Sequence, residues 1–364
     1  MAWNLQKIDV ANTGLYPSLI DYNGEPAILY AGQNKRNLKF ARSVDLKWHT
    51  ALVRRSKRGI ISSVSAEETF AGLPAVVAID RPRLASDGLS RRRTRRRGFS
   101  SKVSDIIYAT FDGSKWDSLL IDSAPFSERT FYSIKIIKLA RSYVVGWLQR
   151  NVQIGFQIAI AESSFGKVWT TSAINVAGDS TIVWSMGRVG GELAIVYFDK
   201  FSREIKYIRK SGSTFSPPET VAKISSKIST IGLSVTDLLG VPQVSYQVDF
   251  GSSRVSGAQR YATRKDDGEW TESNVEYSVS ISNIRDRATS IHQIGTPTIA
   301  YHLRKPDRIN LATLVTEPVY DVTTWVIEEV GRDIIMPSHK HINSIAYVAC
   351  YQFKTRNLIL ARET

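Results

Sequence analysis

Leu38 to Val53, LKFARSVDLKWHTALV, reads as two short β-strands joined by a tight polar turn. The first strand is Leu38-Lys39-Phe40-Ala41-Arg42, and the second carries Trp48 and ends on Ala51-Leu52-Val53. The pattern recurs. Phe40-Ala41-Arg42 has counterparts in Tyr108-Ala109-Thr110, Ile160-Ala161-Glu162, Tyr207-Ile208-Arg209, Tyr261-Ala262-Thr263, Leu311-Ala312-Thr313 and Leu360-Ala361-Arg362. The aromatic that follows recurs as Trp48, Trp116, Trp169, Phe215, Trp270 and Trp325. Seven copies of the first strand thus meet only six downstream aromatics, and Trp3 at the other end of the chain supplies the seventh. The chain is expected to close on itself, its first strand completing its last repeat.

Two more strands complete each repeat, with two-residue periodicity bounded by Gly, Pro, Asp and Ser. One places a small hydroxyl residue before an aliphatic: Ser18-Leu19, Ser63-Val64, Ser133-Ile134, Thr181-Ile182, Thr230-Ile231 and Ser290-Ile291, with Ser338-His339 as the exception. The other often follows a turn such as Gly24-Glu25-Pro26 or Gly72-Leu73-Pro74 and runs through PAILY, PAVVAI, YVVGW, ELAIVY, PQVSY, PTIAY and SIAYVACY. No stretch carries a convincing amphipathic helix.

Seven four-stranded units at this spacing resemble the seven-bladed β-propellers, over essentially the whole chain. The resemblance implies an all-β fold in one domain, residues 1–364, with the N-terminal strand paired to the C-terminal blade so that no sheet edge stays open. It also gives the repeated residues a role: a small Ala lets adjacent blades approach, and the Trp fills the wider gap near the rim. Gly113-x-x-Trp116 and Gly166-x-x-Trp169 resemble the turn of the Asp-box repeats of sialidases, with Phe111 and Ser164 standing where that box has its Asp.

One interval is out of step. Ala41 to Ala109 spans 68 residues, where the others lie between 47 and 54. The surplus is RPRLASDGLSRRRTRRRGFSSK, Arg81 to Lys102, an insertion in the second blade with eight Arg and one Lys against one Asp. So little apolar surface predicts an exposed loop. The chain as a whole carries a net charge of +14, which favours an anionic partner. Propeller geometry puts Arg54, Arg55, Lys57 and Arg58 on the face from which this loop emerges. The candidate polyanion-binding set is therefore Arg54, Arg55, Lys57, Arg58, Arg81, Arg83, Arg91, Arg92, Arg93, Arg95, Arg96, Arg97 and Lys102. Nucleic acid, an acidic glycan and an acidic protein surface all fit such a set, as does assembly with other structural proteins.

Several chemistries find no support. The single Cys350 excludes an intramolecular disulfide and a cysteine cluster for zinc. No apolar run approaches the ~20 residues of a membrane helix, and the first residues lack a signal-peptide core. No membrane insertion is expected, and the setting is cytoplasm or a virion. No Gly-x-Ser-x-Gly, Walker loop or dinucleotide fingerprint occurs, and no pair of carboxylates announces glycoside hydrolysis. His339-x-His341 puts two rings on one side of a strand, and His292 holds the matching place one repeat earlier. Without a carboxylate at fixed spacing these read as polar lining of the central channel, with no metal or cofactor expected. The sequence thus predicts a non-enzymatic interaction propeller with a basic face and no catalytic residues. The alternatives are a phage or viral structural or attachment protein that binds glycans and, more remotely, a sialidase-like hydrolase.

Overall fold

The repeats fold as the spacing predicts. The computed structural model describes residues 2–9, 14–32, 35–45, 47–82, 103–125, 127–176, 183–225, 229–250, 257–277, 289–304, 307–317 and 322–364. Its strands form seven antiparallel sheets, the blades, arranged in a ring. The innermost strands of blades 1 to 7 are Leu15–Tyr22, Ile60–Glu68, Arg129–Lys138, Trp184–Val189, Ser229–Leu238, Thr289–Ile294 and Ile334–Ile342. Second strands such as Glu25–Gly32 and Pro74–Arg81 are buried almost throughout, because a neighbouring blade covers each face. Outer strands such as Lys47–Arg55 are mostly exposed. In blade 4 the outer strand is split into Thr214–Phe215 and Glu219–Lys223. Pro217 and Pro218 lie in the gap, and neither has an N–H to continue the ladder.

The apolar core lies between the blades, in seven clusters that each join two neighbours. The repeated tripeptide builds them. Ala109 of blade 2 is buried against blade 1, while Phe40 of blade 1 faces blade 2 and meets Trp116 at 5.4 Å between ring centroids. The same wedge recurs as Tyr108 with Trp169 (5.0 Å), Tyr207 with Trp270 (5.3 Å) and Tyr261 with Trp325 (5.3 Å). Large flat rings fill the space that opens as flat sheets splay outward from an axis. The Ala beside each ring turns to the other face of the same strand: Phe40 packs toward blade 2 and Ala41 toward blade 7.

The repeated hydroxyls serve the axis. Ser338 Oγ accepts a hydrogen bond from the Leu19 backbone N–H across the 7–1 seam (3.0 Å), and Ser18 Oγ accepts one from Ala66 across the 1–2 seam (2.9 Å). Ser63 and Ser65 accept from Ile134 and Ile136, Ser133 from the Trp184 indole, and Ser234 from Ile291. Inner strands are not paired to each other, so a side-chain acceptor is what satisfies these buried N–H groups. The 4–5 seam uses close approach instead: a Cβ on Gly187 would lie 2.3 Å from the Val235 carbonyl oxygen.

Ring closure follows the expected route. Trp3–Asp9 pairs antiparallel with Asn357–Glu363, Trp3 opposite Glu363 and Leu5 opposite Ala361. This strand also reaches blade 1, where the Asp9 carboxylate takes the Tyr30 hydroxyl at 2.6 Å and the Lys39 ammonium at 2.7 Å. Trp48 donates its indole N–H to Gln6 at 3.0 Å. Gly14 carries the chain over Leu358 with φ at 93°, where a Cβ would sit 2.7 Å from that backbone.

Candidate functional site

Of the predicted basic set, Arg83, Arg91, Arg92, Arg93, Arg95, Arg96, Arg97 and Lys102 lie outside the described residues. The rest divide. Arg55 and Lys57 are exposed, whereas Arg54 and Arg58 are half-buried and engaged in the fold. Arg58 pairs with Asp105 at 2.8 Å, and Arg54 donates to Ser118. The buried Asp80 accepts from the Ser56 hydroxyl and from the backbone N–H groups of Lys57 and Arg58. Asp80 and Asp105 stand at the two ends of the Arg-rich insertion, so this knot pins its base. Arg81 donates to the Pro82 carbonyl.

The axis holds a second group of side chains that spacing did not single out. Glu67, Glu68, Asp21, Lys138 and Lys340 all sit at the C-terminal ends of innermost strands, from blades 1, 2, 3 and 7. The Lys340 ammonium meets Glu68 at 2.5 Å, Glu68 also accepts the Asp21 N–H, and Lys138 reaches the Thr69 carbonyl. Glu67 is half-buried near the axial end of its strand. Desolvation raises its carboxyl above the usual range, against the opposing pull of Lys340 and Lys138. A carboxyl held toward its acid form beside two ammonium groups has the composition of a proton donor at a reactive centre.

The three histidines do come together. His292 of blade 6 meets His339 and His341 of blade 7, each pair of ring centroids 5.7 Å apart. Burial pushes all three rings toward the neutral form, His292 to about 4.

A third feature opens on the outside of the 4–5 seam: a cavity of about 730 Å³ lined by Glu219, Thr220, Arg264, Asp267 and Trp270, among others. Glu219 Oε2 pairs with Arg264 Nε at 2.9 Å and accepts the Trp270 indole N–H at 3.4 Å. Asp267 accepts the Glu269 N–H and so fixes the turn that leads into Trp270. Another cavity, about 920 Å³, lies beside blade 3, with Phe165 and Val168 on its rim more than 80 % exposed.

No family model matches the chain, and no curated protein matches it in sequence. Solved structures do resemble it. A polysaccharide lyase, Uly1, matches with a TM-score of 0.62 at 10% identity, over 98% of this chain and 92% of that one. An α-L-arabinanase of Penicillium chrysogenum matches with 0.53 at 12% identity, over 98% and 96%. The fungal lectin of Aleuria aurantia, described as a six-bladed propeller with a novel mode of fucose recognition, matches with 0.53 at 10% identity, over 89% and 96%. Likeness at this identity shows the shared propeller architecture. It overturns one expectation, that the chain is not an enzyme: enzymes are prominent among the proteins built this way. The physical reason is that a propeller brings catalytic groups to its axis from separate blades, so they leave no linear motif to read. Among the described residues no helix is long and apolar enough to cross a membrane.

Proposed function

We propose that this protein is a carbohydrate-directed propeller, with a sugar-binding pocket at the outer 4–5 seam. The observation that carries the reading is the assembled trio of Trp270, Arg264 and Glu219 at the mouth of a cavity of about 730 Å³. An indole offers a flat apolar face to the C–H side of a sugar ring. A guanidinium fork and a carboxylate offer donors and acceptors to neighbouring hydroxyls. The volume suits one or two sugar rings. Three carboxylates, Glu219, Asp267 and Glu269, against one Arg favour a neutral sugar here. Acidic groups elsewhere on the same polymer fit the exposed Arg55 and Lys57 and the Arg-rich insertion. A glycan array followed by calorimetry tests this. Arg264→Gln and Glu219→Gln are each expected to weaken the best glycan by roughly tenfold or more, about 1.4 kcal/mol. Unchanged affinity in both variants sinks the assignment.

The raised carboxyl of Glu67 favours a second reading, in which the axial group of Glu67, Lys138 and Lys340 processes the polymer that the seam holds. Release of reducing ends or of unsaturated products from a polysaccharide panel, abolished by Glu67→Gln, is the expected result. Turnover that survives Glu67→Gln removes the axis from the chemistry.

A further inference from the structure

We infer that His292, His339 and His341 form a binding site for a divalent transition-metal ion of the zinc class, bridging blades 6 and 7 beside the closed end of the ring. One ligand nitrogen from each ring lies within 4.8 Å of the others. Around tetrahedral zinc, nitrogens at about 2.0–2.1 Å from the metal stand roughly 3.4 Å apart. The rings therefore need to draw in by little more than 1 Å, roughly, which side-chain rotation supplies.

Hydrogen bonding prepares the rings for a metal. The Thr298 hydroxyl has one proton and gives it to the His292 carbonyl oxygen, at 3.1 Å. With that proton on the carbonyl side, the His339 Nε2, 2.9 Å from the same hydroxyl oxygen, donates to it. His339 Nδ1 then presents a lone pair, and it has no hydrogen-bond partner in its buried position. The Nδ1 atoms of His292 and His341 are likewise buried without a partner. Each ring thus keeps a buried nitrogen without a partner, and a polar atom left so is costly unless something engages it. A histidine ligand whose other ring nitrogen is fixed by a hydroxyl or carbonyl is the usual arrangement around a bound metal.

The electrostatics agree on balance. All three imidazoles are held neutral by burial, the form that ligates. The Ser290 backbone favours the charged form of His339, and burial outweighs it. Lys340 adds a nearby positive charge that its pairing with Glu68 offsets, and Glu363 lies near His341 as a compensating carboxylate. Three imidazoles suit zinc, copper or nickel rather than calcium or magnesium, and three protein ligands leave a fourth position for water or another ligand. The site is independent of the sugar pocket, because it shares no residue with the 4–5 seam.

The test uses the full chain without an affinity tag, stripped with chelator and titrated with Co²⁺, then with Zn²⁺ in competition. One equivalent of Co²⁺ with the visible absorption of a four-coordinate ion is the expected result. His292→Gln and His341→Gln are each expected to weaken binding by at least roughly tenfold, and Thr298→Val by a smaller factor through loss of the Nε2 partner. Saturating Zn²⁺ is also expected to raise the melting temperature of the native chain by about 3 °C and to leave both histidine variants unmoved. The variants are compared by metal-free melting, so a folding defect separates from a binding one. Binding equal in the native chain and in both variants, or no binding at micromolar metal, overturns the site.

Discussion

The rim and the axis of this ring are built from the same repeat, yet they obey different rules. At the rim each seam receives the same wedge, a Trp or Phe against the residue before the repeated Ala. At the axis the hydroxyl bridges recur at most seams, but the side chains beyond them do not repeat: Glu67 in one blade, Lys138 in the next, three histidines between the last two. Repetition is where the fold is stored, since every blade solves the same packing problem. Departure from repetition is where chemistry can be placed, since a reactive centre needs unlike groups facing each other.

Removing the closing strand should break the ring most severely. Deleting residues 1–9 leaves Asn357–Glu363 as an open edge and strips Tyr30 and Lys39 of Asp9. Loss of cooperative thermal unfolding and concentration-dependent aggregation in light scattering are expected. A truncated chain that melts like the intact one would show that rim packing alone closes the ring. Next in size is the rim wedge. Trp116→Ala removes an indole packed on Phe40 and Phe111 and should cost about 3 kcal/mol in denaturant unfolding. An effect below about 1 kcal/mol would mean the neighbouring rings close over the gap.

Most of the rim was legible in the sequence because its logic is periodic. Phe40-Ala41-Arg42 announces a third strand, and counting its copies against the aromatics located Trp3 in the last blade. The hydroxyl positions were visible too, although their purpose appears only once Ser18 is seen accepting from Ala66. The axial group was not legible. Glu67 and Lys340 are 273 residues apart and become neighbours only by ring closure, so no local spacing announces them. His339-x-His341 was readable as two rings on one side of a strand, and it took the geometry to show that their Nδ1 atoms stand unpaired. One member of the basic set also has a role that its position in the sequence did not show. Arg58 is a structural partner of Asp105, because a cation beside a buried loop base serves folding whatever else its neighbours bind.

A buried group away from the axis gives the third prediction. His302 is 1% exposed, and burial lowers its pKa to about 4 despite Asp307 at 3.3 Å. Its folded value lies below the unfolded 6.5, so the unfolded chain binds the extra proton between those limits. The stability is complete above pH 6.5 and is lost as the pH falls toward 4, roughly 2–3 kcal/mol from this group by pH 4.5. The slope of unfolding free energy against pH should flatten in His302→Gln. A parallel slope in the variant would place the acid sensitivity elsewhere.

The smallest effect sharpens the comparison most. Ser18→Ala deletes one hydroxyl at the 1–2 seam, changes almost no volume, and leaves the Ala66 N–H without its 2.9 Å acceptor. An unpaired buried donor costs about 1–3 kcal/mol, and the partly buried position here puts the expected loss near 1 kcal/mol. Ser338→Ala at the 7–1 seam and Ser234→Ala at the 5–6 seam remove equivalent acceptors from Leu19 and Ile291. If the axis works by repetition as the rim does, the three losses should agree to within about 0.5 kcal/mol, and the Ser234→Ala loss should add to either of the others, because the 5–6 seam shares no blade with the 7–1 and 1–2 seams. A loss at the 7–1 seam well above the other two would instead show that ring closure concentrates strain there. The bridge would then act as a latch for the closing blade, and the axis would differ from the rim in its mechanics as well as in its chemistry.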